Sequence, residues 1–398
     1  MLEWRVGETW GDDAPGPVGP RRWRPGRRWW LLPLAALAVG LAIAGWLAWE
    51  TPRREERLRA DVQTTADLEL WAWQSRDVAL FETLIDPDIP AGWRDEHVQE
   101  FRMFPQYARL ARRGTPQVQV ESVEAHGDAA LVVLRVRVPD FPGQPLDYRQ
   151  ALPYRNIDGR WARSAPTETL WGPTRRLLTR HFTFEYPERD TATVQVVAAE
   201  IEAFYERLRA DLDLPASDGE VWAVRLTLDP PLAPPRNPTG GVARLPSPSL
   251  ALLPQGMTPA RQLKLDLGRW LGEALTRRDD WTRPLSGAAV WNLPLAVAEW
   301  NTLAWVDDGA PPGAGLRRVQ RYQTLRQTFD SMLPTVTIVD YVAAVYGRSS
   351  VAAMTRSARG GARTWEALLP ASLGVGAEAF EAAWLGYVET QAAAQPGS

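Results

Sequence analysis

The sequence predicts an α+β protein: a single N-terminal transmembrane helix, an α+β domain, then a second α+β domain with a mostly helical C-terminal half. Three observations carry this. The run Trp29–Trp49 holds no charged residue. After Gly114 the apolar period switches from helical to two, so helices give way to strands. From Thr258 onward apolar residues recur almost throughout at helical spacing.

At about 1.5 Å per residue, Trp29–Trp49 is long enough for a bilayer core of about 30 Å. Arg21, Arg22, Arg24, Arg27 and Arg28 precede it, and Trp29, Trp30, Trp46 and Trp49 sit at its ends, a basic flank with aromatic belts. The run is too long for the apolar part of a signal peptide, and no small-residue cleavage site follows before Glu50, so it reads as an uncleaved anchor. The expected partner there is the lipid bilayer, through residues 29–49. The arginine bias orients the N-terminus to the cytoplasm and the rest outside it, at the cell membrane. Residues 1–28, rich in Gly, Pro and Arg, and residues 393–398 read as disordered tails.

Composition narrows the chemistry. The chain has no cysteine, which excludes disulfides, thiolate metal sites and a cysteine nucleophile. A net charge of −3 gives no basis for a dedicated nucleic-acid surface. Lys264 is the single lysine among 45 basic residues, which reads as GC-rich bacterial codon usage.

Residues 52–172 form the first domain. A charged helix over 52–70 places Leu58, Val62, Ala66, Leu70 and Trp73 on one face. Ala79–Ile85 and a helix over Asp95–Arg113 follow. Alternating runs then surround three turns: His126-Gly127-Asp128, Phe141-Pro142-Gly143-Gln144 and Ile157-Asp158-Gly159. Helices followed by a curved antiparallel meander, with Leu70–Asp77 and Tyr154–Trp161 as the carrying segments, resemble the NTF2-like cone folds. That resemblance implies an enzyme, a pocket-binding module or a dimerisation domain. No Asp/His pair is spaced as a catalytic dyad, and His97 and His126 read as surface residues. Trp71, Trp73 and Trp161 read as core packing, with the lining of a ligand pocket as the alternative.

Residues 178–392 form the second domain, after a link over Thr174–Leu178. His181–Tyr186 alternates as a strand. Thr191–Leu212 is an amphipathic helix with Val194, Val197, Ile201, Phe204, Leu208 and Leu212 on one face. Strands are expected over Val221–Leu228 and Ser249–Leu253, around Gly240-Gly241-Val242-Ala243. Helices are expected near 259–278, 292–306, 314–331, 336–346, 349–358 and 376–391. This order, opened by His181-Phe182-Thr183-Phe184-Glu185-Tyr186-Pro187 and closed by Phe380-Glu381-Ala382-Ala383-Trp384, resembles the gluzincin zinc peptidases, in particular membrane-anchored bacterial proteins with a peptidase MA-like domain.

The resemblance implies a helix bearing HExxH, whose two histidines bind zinc beside a glutamate base, and a later helix supplying a third, glutamate ligand. Here Leu265 and Arg269 stand at the histidine positions, Asp266 at the base and Glu299 at the third ligand. No histidine follows His181. Leucine cannot ligate zinc, and arginine brings a fixed positive charge. These positions are therefore read as vestigial, with no catalytic residue, metal or cofactor expected. Arg269 and Glu299 are placed to pair in the metal's stead. An ordinary amphipathic helix accounts for the same segment, with Leu263, Leu267, Trp270, Leu271, Ala274 and Leu275 buried.

Other motifs have blander readings. Asp279-Asp280 and Asp307-Asp308 read as caps and turns. Gly240-Gly241 lacks the spacing of a phosphate loop, and Ser286-Gly287 and Ser349-Ser350 lack a histidine partner. The expected function is binding or scaffolding at the cell surface by a peptidase-like domain without activity. Its ligand would be a polypeptide or cell-envelope component in a groove lined by Arg269, Trp270, Glu299 and Trp300. Two alternatives stay open: a hydrolase using Asp266 and Glu299, and small-ligand binding in an apolar cavity between residues 55 and 170. Oligomeric state is not legible.

Overall fold

The computed structural model describes residues 31–110, 117–141, 144–215, 219–229, 242–251, 253–254, 256–278, 293–307, 332–362 and 364–393. The chain divides into two compact units, Met1–Arg57 and Leu58–Ser398.

The first helix, α1, runs Leu31–Ser75 without interruption. Among the described residues no helix is long and apolar enough to cross a membrane. This overturns the transmembrane segment, and with it the single-pass membrane anchor. The apolar helix does not stop where an anchor would: it continues through Glu50, Arg53, Glu56 and Arg57. Trp29, Trp30 and the five arginines lie outside the described residues. Leu37, Val39, Leu41, Ile43, Trp46 and Trp49 are each more than half exposed. Near the helix middle the Arg53 guanidinium sits 3.7 Å above the Trp49 ring, an i, i+4 cation–π contact.

In the second unit the helices α2 (Val78–Thr83) and α3 (Ala91–Leu110) precede a meander of β1 (Gln117–His126), β2 (Ala129–Phe141), β3 (Gln144–Ile157) and β4 (Arg160–Arg163). Neighbours pair antiparallel in chain order. The β3–β4 turn is built as its sequence demands. Asp158 and Gly159 take positive φ (52° and 85°), and Asn156 Oδ1 accepts from the Gly159 amide at 2.9 Å. Val62 and Ala66 pack with Val120, Ala130, Val132, Leu134 and Trp161 on one face of the sheet. Ala129 and Leu131, on the opposite face of β2, pack with Leu170, Trp171 and Leu250.

A short helix α4 (Glu168–Trp171) leads into a second sheet, β5 (Thr174–Leu178), β6 (Phe182–Pro187), β7 (Trp222–Thr227) and β8 (Val242–Pro246), in that order. β5 is the segment expected as a link. It is an exposed strand antiparallel to β6, and its Arg175 and Arg176 hid the alternation. β6, β7 and β8 are parallel. The crossover that parallel strands require is α5 (Thr191–Asp211) between β6 and β7, with Val194, Val197, Ile201, Phe204 and Leu208 fully buried. The strand expected over Ser249–Leu253 is instead a 3₁₀ turn, Pro248–Leu250, and a two-residue strand, β9 (Leu253–Pro254). Buried Asp190 accepts from Ser247 Oγ at 2.7 Å, which favours a tight turn there over an extended strand.

The remainder is helical: α6 (Pro259–Arg278), α7 (Leu293–Val306), α8 (Met332–Val345), α9 (Arg348–Arg359), α10 (Trp365–Leu373) and α11 (Ala377–Ala393). These helices, α5 and the second sheet share one apolar core that includes Trp222, Trp270, Trp300, Trp365 and Trp384. The two sheets are tied together. β9 pairs with β3 (Arg149↔Leu253), Trp93 Nε1 donates to Leu228 O at 3.2 Å, and Arg189 donates to Glu124 at 2.6 Å. The helix expected over 314–331, together with Gly240-Gly241, Asp279-Asp280 and Ser286-Gly287, lies outside the described residues.

Candidate functional site

The site expected from the sequence depends on how α6 meets α7. Helix α6 starts where Thr258 caps it: its Oγ1 accepts from the Arg261 amide at 3.2 Å, and Pro259 occupies the first turn. Leu263, Leu267, Trp270, Leu271, Ala274 and Leu275 are all buried, so the apolar stripe faces the core. Two glycines on the side towards α7 bring the helices close. A Cβ on Gly268 would lie 2.6 Å from Thr302 Cγ2, and one on Gly272 would lie 2.4 Å from Ala298 Cβ.

That close approach puts Arg269 against Glu299. Arg269 Nε donates to Glu299 Oε2 at 3.0 Å and Nη2 donates to Oε1 at 2.7 Å, a two-point fork. The Glu299 side chain is 6% exposed and that of Arg269 is 50% exposed. The hydrogen bonds from Arg269 to Glu299 raise the guanidinium's pKa further. One turn earlier, Asp266 accepts twice from Gln262 Nε2, both at 3.0 Å. Burial pushes its carboxyl above the usual range, against the pull of Gln262 and of the Arg269 charge.

A zinc ion does not fit these residues. Leu265 offers no donor atom, Arg269 donates rather than accepts, and both Glu299 oxygens are occupied by the guanidinium. Among the described residues no group of three or more His, Asp or Glu side chains is arranged to hold a metal. Glu299 also does not stand free as half of a carboxylate pair with Asp266.

Trp270 and Trp300, expected to line a groove, are instead 8% and 7% exposed and belong to the core. Trp270 packs edge-on to Trp222 at 5.4 Å. Trp300 Nε1 donates to Asp340 at 3.0 Å, beneath the Arg348 guanidinium at 4.8 Å. Both indoles sit on the inward side of their helices, where aromatic area is most stabilising. Of the expected binding residues, only Arg269 reaches solvent.

Among the described residues Trp71, Trp73 and Trp161 do not converge on one cluster. Trp71 is 54% exposed, Trp161 is buried among Val62, Ala66 and Leu152, and Trp73 packs on Phe81 in a different cluster. His97, expected at the surface, is 1% exposed beside the Trp93 ring, because the inner face of α3 carries it inward. His126 is at the surface, 3.0 Å from Glu124.

Sequence reasoning missed the buried charges. Glu69 is 2% exposed, accepts from Tyr154 OH at 3.2 Å and lies 3.6 Å from Arg163. Burial and the Glu69 charge push the Tyr154 hydroxyl well above its ordinary pKa. Lys264 is buried and 2.7 Å from Glu200, which also accepts from Trp305 Nε1 at 2.9 Å. Asp211 accepts from Asn301 at 2.9 Å and from Arg348 Nε at 3.0 Å. The available signal was position: Glu69 lies seven residues past Val62, on the inward stripe of α1. A separate recess of about 430 Å³ is lined by Glu168, Thr174, Glu185, Arg225 and Leu228.

No family model, curated protein or solved structure matches the chain.

Proposed function

We propose that residues 178–392 form a gluzincin-like, peptidase MA-like domain in which the Arg269–Glu299 ion pair stands in the metal's place. The domain binds a polypeptide and does not hydrolyse it. The observation that carries this reading is the two-point fork between the second histidine position on α6 and the third-ligand position on α7. The order of elements supports it: a strand, the α5 crossover, two parallel strands and then the α6–α7 pair. So does the chemistry, since a buried glutamate that has lost its cation needs a replacement positive charge. The helices and meander of residues 52–172 fit an NTF2-like companion domain, tied to the second domain through β9 and Arg189.

The outward face of α6 also agrees with an ordinary amphipathic helix. The two readings differ in what a paired Arg and Glu imply about descent, and a metal and activity measurement tests the functional claim. Purified full-length protein, dialysed against zinc and assayed on an unstructured protein substrate such as casein, is expected to hold no stoichiometric zinc and to leave the substrate intact. One equivalent of zinc with zinc-dependent cleavage would overturn the proposal.

A further inference from the structure

An arginine offers five N–H donors in a planar fork. Arg269 spends its Nε and one Nη2 donor on Glu299, through the inner edge of the guanidinium. Among the described residues its Nη1 meets no acceptor. Half of the side chain faces solvent while its anchor, Glu299, is buried. Among the described residues the guanidinium is thus held on one edge and open on the other.

We propose that this open Nη1–Nη2 edge of Arg269 is the recognition point for a carboxylate group on the polypeptide ligand. The inference rests on the binding role proposed above and names the chemistry of that site. Three features argue for a carboxylate. The free edge presents two parallel N–H donors, the geometry a planar carboxylate accepts at two points. The contact is preorganised, because Glu299 and the tight α6–α7 approach at Gly268 and Gly272 fix the side chain before any ligand arrives. The local charge favours the smaller anion: Glu299 already offsets the Arg269 charge, so a singly charged carboxylate is repelled less than a phosphate dianion.

The source of the carboxylate is either a chain terminus or an acidic side chain, and three peptides separate them. These are N-acetyl-Ala-Ala-Phe with a free C-terminal carboxylate, the same peptide as its C-terminal amide, and amidated N-acetyl-Ala-Glu-Phe. Each is titrated into full-length protein with ¹⁵N-labelled arginine, the Arg269 Nε signal being assigned by its loss in Arg269→Lys. The expected result is a saturable shift of that signal and binding at least about tenfold tighter for a carboxylate-bearing peptide than for the neutral amide. The first peptide leading marks a chain terminus, and the third marks a side chain. The preference should disappear in Arg269→Gln and fall sharply in Arg269→Lys, which keeps the charge beside Glu299 and guards against misfolding as the cause. Equal binding of acid and amide, a preference surviving in Arg269→Gln, no binding of any peptide, or inorganic phosphate binding as tightly as the carboxylate peptide would each overturn it. Cleavage of a peptide would instead overturn the non-hydrolytic reading beneath it.

Discussion

Arg269 illustrates how one side chain decides between chemistries. A guanidinium cannot ligate zinc, yet it satisfies the buried Glu299 at two points. Its partner was anticipated only because the resemblance to the gluzincins sets Arg269 and Glu299 in one site. Glu69, Lys264 and Asp211 were not, because each takes a core-facing position that only a partner remote in sequence makes tolerable: Arg163, Glu200 and Arg348. Glu124 shows the same dependence at the joint between the sheets. Hydrogen bonds from Arg189, then His126, hold its carboxyl down at about 2, against an ordinary 4.5. A depressed folded pKa means that the contact stabilises fully above about pH 4.5 and loses this contribution as pH falls towards 2. In acid titrations followed by circular dichroism, Glu124→Gln is therefore expected to be less stable than the natural chain at pH 7. The gap should close between about pH 4.5 and pH 2; a gap independent of pH would show that the charge contributes nothing.

At the scale of elements, legibility followed local chemistry. The meander was readable because its turns carry Gly127 and Asp158-Gly159 at the needed positions, and α5 because its apolar stripe is unbroken. β5 was missed because it is an exposed strand bearing two arginines, and α10 because Pro370 interrupts its pattern. The uncharged run misled in the opposite direction, since it is continuous with the charged part of α1. The α6–α7 contact is the element-level feature on which the site depends. Gly272→Ala gains helix propensity worth about 1 kcal/mol but drives a methyl to 2.4 Å from Ala298 Cβ. Overpacking of this kind costs about 1–3 kcal/mol. Urea denaturation should therefore show a net loss of up to about 2 kcal/mol, and Gly272→Ala/Ala298→Gly should recover part of it. A raised midpoint in Gly272→Ala would mean that the helices are not in such close contact.

At the scale of the whole molecule, the α6–α7 pair belongs to a core shared by the second sheet and six helices besides α5, so the site sits on rigid elements rather than on loops. β9 and Arg189 carry that rigidity into the first sheet. Under the function proposed above, α6 and α7 retain a peptidase metal site in outline, with an ion pair in place of the ion. Restoring the histidines tests it most directly. Zinc binding is measured by calorimetry on the natural full-length chain, on Leu265→His/Arg269→His, and on that double variant with Glu299→Gln. The expected result is no stoichiometric binding to the natural chain, one equivalent to the double variant, and a marked loss of affinity when Glu299 is replaced. Zinc bound by the natural chain, or a double variant that folds and binds none, would contradict it.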